Sequence, residues 1–128
     1  MIKDFIPYAE ALELKELGFD EPCFGRYQNT RDLLISHTER YVISNGVDRS
    51  EFFTLAPLYQ QVFRWFREKY GYLASPFSIK SKEGNMIYCF ELSKVDKFIG
   101  DIYSDDKSTY EEAKLACLNK LIEIVKNK

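Results

Sequence analysis

The chain has 128 residues, a mass of 15.1 kDa and a composition that is 45% hydrophobic and 30% charged. Such a length and composition are typical of one globular domain and argue against disorder, so we expect a single compact domain over residues 1–128. The net charge of -2 argues against a basic protein that binds nucleic acid by charge alone. No apolar run approaches the ~20 residues that cross a bilayer, so we expect no membrane contact.

Three cysteines and one histidine restrict the chemistry. Cys23, Cys89 and Cys117 lie far apart without a CxxC pair, which predicts neither a disulfide framework nor a zinc site and favours a reducing cytoplasm. His37 is the only histidine, whereas a histidine-based metal site would need several. We therefore expect no metal and no cofactor, and the acidic, amphipathic N-terminus is unlike a signal peptide.

Pro7 and Gly18 delimit the first predicted helix, which we expect to occupy about Tyr8–Leu17. Proline suits the first helical position because its missing N–H is not needed there, and glycine suits the left-handed residue that follows a helix. Phe19 can then pack against Leu14, a contact that often accompanies this kind of helix end.

The segment after this helix contains helix breakers and turn residues. We predict a β-hairpin that pairs Cys23–Tyr27 with Asp32–Ser36. Arg40–Ser44 is a candidate further strand, closed by an Asn-Gly turn. A helix over Arg31–Ile43 is the competing prediction, because its apolar residues also recur at helical spacing.

The segment APLYQQVFRWFREKY has the clearest amphipathic pattern of the chain and is predicted to form a second helix that ends at Gly71. Its polar side chains fall on the opposite side from one broad aromatic arc, so we expect this helix to organise the core. The arc holds Leu58, Tyr59, Val62, Phe63, Trp65, Phe66 and Tyr70.

Three strands and a last helix are predicted in the rest of the chain. Phe77–Lys80 and Met86–Leu92 flank the turn Lys82–Asn85, and Phe98–Tyr103 is a plausible third strand. Ser108–Glu111 has the pattern of a capping box and opens the last helix. That helix carries an apolar arc of Tyr110, Ala113, Cys117, Leu118, Leu121, Ile122, Ile124 and Val125.

These elements predict an α+β fold in which a small antiparallel sheet packs against two or three helices. The order of elements in the second half is α-β-β-β-α.

Three long sequence blocks resemble those of small, uncharacterised bacterial and bacteriophage proteins. The blocks are LKELGFDEPCFG, APLYQQVFRWFREKYG and TYEEAKLACLNKLIEIV. The resemblance implies a bacterial or phage origin and brings no established activity with it.

The α-β-β-β-α order from Ala56 onward is similar, in topology only, to a double-stranded RNA-binding domain. That family holds RNA phosphates with lysines at the start of its last helix. In the matching segment here only Lys114 fits, while Glu111 and Glu112 stand where positive charge is needed. We therefore disfavour nucleic-acid binding by this route.

Cys23 and His37 are the candidate catalytic residues. Cys23 lies in DEPCFG, where neighbouring carboxylates raise the pKa of a thiol and no adjacent cation lowers it. His37 lies in a polar run without an identifiable catalytic partner. Since no phosphate-binding loop, zinc-protease or hydrolase motif is present, we expect the protein not to be an enzyme.

Arginine and aromatic residues give the leading functional hypothesis. Arg40 and Lys69 extend the group of basic residues that could form an anion-binding patch, and Lys114 projects unusually toward the apolar arc of its helix. Exposed Trp, Tyr and Arg are typical of protein interfaces. The candidate interaction surface comprises Arg26, Arg31, Arg64, Trp65, Arg67 and Lys114.

We therefore expect a small non-enzymatic accessory protein that binds another protein, acts as a modulator carried by phages or mobile elements, and has scope for self-association. RNA binding through the second half is the first alternative, and an enzyme that uses Cys23 or His37 is the second.

Overall fold

The structure, a computed structural model, describes residues 2–28, 32–42, 53–94, 97–103 and 107–127. These residues form three α-helices and two antiparallel sheets of three strands each, which confirms the α+β class. By their contacts they divide into two units, Met1–Tyr59 and Gln60–Lys128. The strands therefore lie in two sheets where the sequence suggested one.

Helix α1 spans Tyr8–Glu16, within one residue of its predicted end. Pro7 lies at the N-cap rather than at the first helical position. At the other end Gly18 adopts a φ of 92°, and the Phe19 N–H donates to the Leu14 carbonyl at 3.0 Å. This is the Schellman arrangement that the Gly-Phe pair predicted.

The first sheet confirms the predicted hairpin. Strand β1 (Gly25–Gln28) pairs antiparallel with β2 (Leu33–Ile35) and, on its other side, with β3 (Phe53–Ala56). The competing helix over Arg31–Ile43 is wrong over β2, where the backbone is extended and paired. The sequence did not predict β3, because four apolar and hydroxyl residues are too few to show a period.

The predicted strand Arg40–Ser44 is represented by a single bridge, in which Tyr41 and Cys23 exchange backbone hydrogen bonds of 2.6 and 3.0 Å. Residues 43 and 44, the Asn-Gly turn after them, and Arg31 lie outside the described residues.

One face of the first sheet packs against the N-terminal segment. The Tyr27 hydroxyl donates to the Ile6 carbonyl at 2.7 Å, and the Tyr27 ring meets Tyr8 edge-on at 5.3 Å. Gly25 allows a close approach, since a Cβ there would lie 2.8 Å from Cε1 of Phe5. The residues at alternate positions of β1 therefore point to the opposite face.

Helix α2 spans Tyr59–Tyr70 and stops at Gly71, whose φ is 78°. Val62 and Phe66 are fully buried, and the Trp65 ring meets Phe66 and Tyr70 edge-on at 5.1 and 5.6 Å. The aromatic arc of the predicted second helix is thus largely buried, as expected.

The second sheet contains β4 (Tyr72–Lys80), β5 (Met86–Lys94) and β6 (Lys97–Tyr103) in that order. Strand β4 begins five residues before its predicted start at Phe77, because Tyr72 pairs with Lys94 at the far end of β5. The predicted turn lies in the five-residue connection 81–85, where Gly84 adopts a φ of 88° and its N–H donates to the Ser81 carbonyl.

Helix α3 spans Tyr110–Lys126 and contacts β4 and β5. Its N-cap is Thr109, whose hydroxyl accepts a 3.1 Å hydrogen bond from the Glu112 N–H. The N-cap therefore lies one residue after the predicted Ser108, and the Glu112 carboxylate accepts a hydrogen bond from the Ser108 hydroxyl at 3.1 Å. Of the predicted arc, six residues are buried: Ala113, Cys117, Leu118, Leu121, Ile122 and Val125.

Candidate functional site

The outer face of the first sheet is the surface on which arginine and aromatic side chains meet. We define the arginine–aromatic face as Phe24, Arg26, Leu34, Arg40, Tyr41 and Phe53. Gly25 and Tyr27 point to the buried side of β1, so the alternation of the strand places Phe24 and Arg26 on the other side. The register sets Leu34 of β2 beside Arg26.

Arg26 lies at the centre of this face. Its guanidinium carbon is 4.6 Å from the centroid of the Tyr41 ring and 5.3 Å from that of Phe53. Nε of Arg26 is buried and has no hydrogen-bond partner among the described residues. Stacking on aromatic rings uses the faces of a guanidinium and leaves the N–H groups at its edges for other partners.

Arg40 repeats the arrangement at the rim of the face. Its guanidinium carbon is 4.9 Å from the centroid of Phe24, a ring that is itself 38% exposed. Leu34 is 37% exposed beside them. Within the described part of the chain neither Arg26 nor Arg40 forms a salt bridge. Two cations and three rings thus lie together on this face, with no ion pair to either cation among the residues that the structure describes.

Comparison with protein-family models, curated proteins and solved structures gives no match to this chain. The resemblance to phage proteins and the topological likeness to an RNA-binding domain therefore stay predictions. The arginine–aromatic face has to be interpreted from its own geometry.

The structure distributes the predicted interaction residues over both units. Arg26 belongs to the first unit, and Arg31 lies outside the described residues. Arg64 and Arg67 are exposed on α2. Trp65 is only 6% exposed, so its indole contributes to packing far more than to a surface.

Lys114 is half-buried on α3, and its ammonium group lies 5.4 Å from the centroid of the Tyr110 ring. This contact one turn back along the helix explains how a lysine occupies a position next to the apolar arc.

Sequence reasoning missed Phe24, Leu34 and Tyr41 as members of the surface. The alternation within the hairpin was a usable signal for the first two, since it places Phe24 and Arg26 on one side of the strand. No local signal was available for Tyr41, whose ring reaches Arg26 from a separate segment.

The three thiols are buried. Cys23 has no exposed surface, and its Sγ–H donates to the Glu21 carbonyl at 3.2 Å. Burial, assisted by the charge of Glu21 and opposed by that of Arg40, raises the pKa of Cys23 to about 12. Burial likewise raises the pKa of Cys117 to about 12. Both thiols are therefore protonated at neutral pH, which is unfavourable for nucleophilic attack.

His37 lies exposed in the bend after β2. The Ser36 hydroxyl accepts hydrogen bonds from the N–H groups of Thr38 and Glu39, at 3.4 and 3.0 Å, and so shapes the bend around it. The described residues contain no cluster of three or more potential metal ligands. Among the helices that the structure describes, none has the length and apolarity to cross a membrane.

Proposed function

We propose that this chain is a small, non-enzymatic binding protein that docks onto another protein through the arginine–aromatic face. The observation that carries the proposal is a pair of guanidinium groups held over aromatic rings, Arg26 over Tyr41 and Phe53 and Arg40 over Phe24. Neither arginine has a salt-bridge partner among the described residues. Arginine and aromatic side chains are the types enriched at the centres of protein interfaces.

The mixture of side chains on this face favours a protein partner. Phe24 and Leu34 offer apolar area that gains from burial, and the stacked arginines offer directional hydrogen bonds. Because the arginines of this face already lie against its aromatic rings, these side chains lose little conformational freedom when they bind a partner. Such preorganisation raises affinity for a given contact area.

The proposal includes a cytoplasmic location and an accessory role, as a modulator of a host protein carried by a phage or mobile element. The three cysteines are buried as thiols rather than joined in disulfides, which supports a reducing compartment.

RNA binding through the second unit is less well supported. Glu111 and Glu112 are exposed on the first turn of α3, and the Glu112 carboxylate accepts a hydrogen bond from Ser108. Lys114, the matching cation, lies against Tyr110. Two carboxylates at the required phosphate position oppose binding, because no counterions are released there.

The test is a pull-down from bacterial lysate, with and without nuclease, that compares the wild-type chain with Arg40→Glu and Phe24→Ser. Both residues are exposed, so the variants are expected to fold, and circular dichroism verifies this. Lys82→Glu in the exposed hairpin loop of the second unit is the matched charge control.

We expect one nuclease-resistant protein that the wild-type chain and the Lys82→Glu control retain and that both face variants lose. A further variant, Arg67→Glu, changes an exposed arginine of α2. A partner that Arg67→Glu loses and Arg40→Glu retains would move the site to α2 and refute this assignment. Partners that disappear with nuclease would favour the RNA alternative.

A further inference from the structure

The arginines of the arginine–aromatic face, which form no salt bridge with any described residue, indicate the chemistry of its ligand. We infer that Arg26 and Arg40 bind a carboxylate group of an acidic side chain in the partner protein, next to an apolar side chain that packs on Phe24 and Leu34. The inference rests on the proposed function, since it names the kind of segment that the same face recognises.

The first step of the argument is the state of Arg26. Its guanidinium lies close to two rings, and its Nε is removed from water without a hydrogen-bond partner among the described residues. A cation that has lost part of its hydration and gained no anion is left with an uncompensated charge. An anion at the accessible edge of the guanidinium would offset that loss.

The second step is the geometry of the available donors. Arg26 as a whole is half-buried, and its guanidinium carries two terminal nitrogens beyond the buried Nε. Together they form the end of a planar fork that fits the two oxygens of a carboxylate with parallel hydrogen bonds. The rings of Tyr41 and Phe53, 4.6 and 5.3 Å from the guanidinium carbon, restrict where that fork can lie.

The third step is charge complementarity. Arg40 adds a second cation on Phe24, and neither arginine has a carboxylate partner in the described part of the chain. The face thus carries two guanidinium charges on a chain whose net charge is -2. Such a site attracts an acidic segment and disfavours basic ones.

The fourth step is the apolar part of the ligand. Phe24 and Leu34 are 38% and 37% exposed, and Leu34 is the register partner of Arg26 across the strand pair. A ligand whose carboxylate reaches Arg26 therefore passes over Leu34. An apolar side chain close to the acidic one would bury this surface and add affinity.

The test uses a random displayed peptide library, selected in parallel on the wild-type chain, on Arg40→Leu and on Phe24→Ser. We expect wild-type selections to be enriched in Asp or Glu beside Leu or Phe. The acidic preference should fall on Arg40→Leu while the apolar preference remains, and Phe24→Ser should lose the apolar preference.

The affinity of one selected peptide is then compared with that of its Glu→Gln counterpart by titration calorimetry. We expect the amide to bind about tenfold more weakly, the usual scale for losing one charge-assisted hydrogen bond. Arg26→Lys, which keeps the charge and loses the fork, should remove most of the difference between the two peptides.

Three outcomes would overturn the inference. Peptides that need Phe24 but show no acidic enrichment, or a Glu→Gln pair with equal affinity, would remove the carboxylate and leave protein binding by this face intact. The absence of any peptide preference that Phe24→Ser or Arg40→Leu changes, together with no captured protein, would remove both proposals.

Discussion

The two sheets have the same number of strands but are stabilised differently. The strands of the first sheet are 4, 3 and 4 residues long, and those of the second are 9, 9 and 7. Helix α3 contacts the second sheet and buries six side chains, whereas the first sheet depends on close contacts such as Gly25 against Phe5. Short strands supply few ladder hydrogen bonds, so specific packing has to stabilise them.

The two faces of the first sheet differ in their roles, since one contributes to packing and the other is proposed to bind a partner. In the first sheet one face is used for packing on the N-terminal segment, and the other holds cations and rings that have no ion-pair partner among the described residues. A sheet face that is charged and aromatic is costly for folding and useful for binding, which is why we assign function to this unit.

The largest expected effect is on the core of the second unit. Leu118 is fully buried on α3, so Leu118→Ala should lower the free energy of unfolding by about 2–5 kcal/mol. Urea titration followed by the fluorescence of Trp65, the only tryptophan, measures this change.

Leu14→Ala removes an equally buried side chain from the first unit and should cost about as much. Because we predict a single domain, it should shift the Trp65 transition together with the circular dichroism transition. A Trp65 transition that Leu14→Ala leaves unchanged would show that the two units unfold separately.

The next effect contrasts two glycines. Gly25→Ala forces a Cβ to within 2.8 Å of the Phe5 ring and 3.0 Å of the Ala56 carbonyl, and should cost about 1–3 kcal/mol. A Cβ added at Gly84 would have no atom within 4 Å. Gly84→Ala should therefore lower the free energy of unfolding only by the strain of a positive φ, about 1 kcal/mol. If thermal unfolding shows that Gly25→Ala destabilises the protein less than Gly84→Ala, the close approach of Phe5 is not what requires glycine at position 25.

A smaller effect is expected at the start of α3. Thr109→Ala removes the hydroxyl that accepts the Glu112 N–H and should cost about 1 kcal/mol. Ser108→Ala, at an exposed neighbouring hydroxyl, is the matched control and should cost a few tenths at most. Equal losses in denaturant titrations would mean that Thr109 does not act as the N-cap.

Pro76 is expected to affect association more than stability. It lies in β4, an edge strand, at a position paired with Phe90. Counting along the ladder from the Ser81–Asn85 hydrogen bond, the missing N–H of Pro76 is on the outer edge, where it discourages pairing with another chain. Pro76→Thr should therefore increase self-association in sedimentation experiments, and an unchanged sedimentation profile would contradict this role.

The thiols should leave the free energy of unfolding independent of pH near neutrality and lower it increasingly in alkali. Folding raises the pKa of Cys23 and Cys117 to about 12, above the ordinary value of roughly 8.5 in the unfolded chain. The stability they contribute is therefore complete below about pH 8.5 and is lost as the pH rises toward 12. Burial also raises the pKa of Tyr59 to about 12, which adds to the same decline.

Melting temperatures measured from neutral to alkaline pH test this linkage, and Cys117→Ala should make the alkaline decline shallower. Alkylation gives a second readout. All three cysteines should be inert to iodoacetamide in the folded protein at neutral pH and reactive in urea. Rapid modification of Cys23 alone would revive the alternative in which it acts as a nucleophile.

Local sequence signals predicted much of the fold. The ends of α1 and α2 followed from Pro7, Gly18 and Gly71, and the turn between β4 and β5 followed from Gly84. These features depend on residues within a few positions of each other, so the sequence contains their whole cause. The same holds for the buried arc of α3.

Only the tertiary structure decided β3, the early start of β4 and the composition of the arginine–aromatic face. Phe53–Ala56 becomes a strand because β1 pairs with it across more than twenty residues, and Tyr72 extends β4 because the far end of β5 lies opposite. Arg26 meets Phe53 through the β1–β3 pairing, and it meets Tyr41 through the bridge between Cys23 and Tyr41. Strand partners and faces depend on which segments meet in space, whereas helix ends and turns are determined by their immediate neighbours.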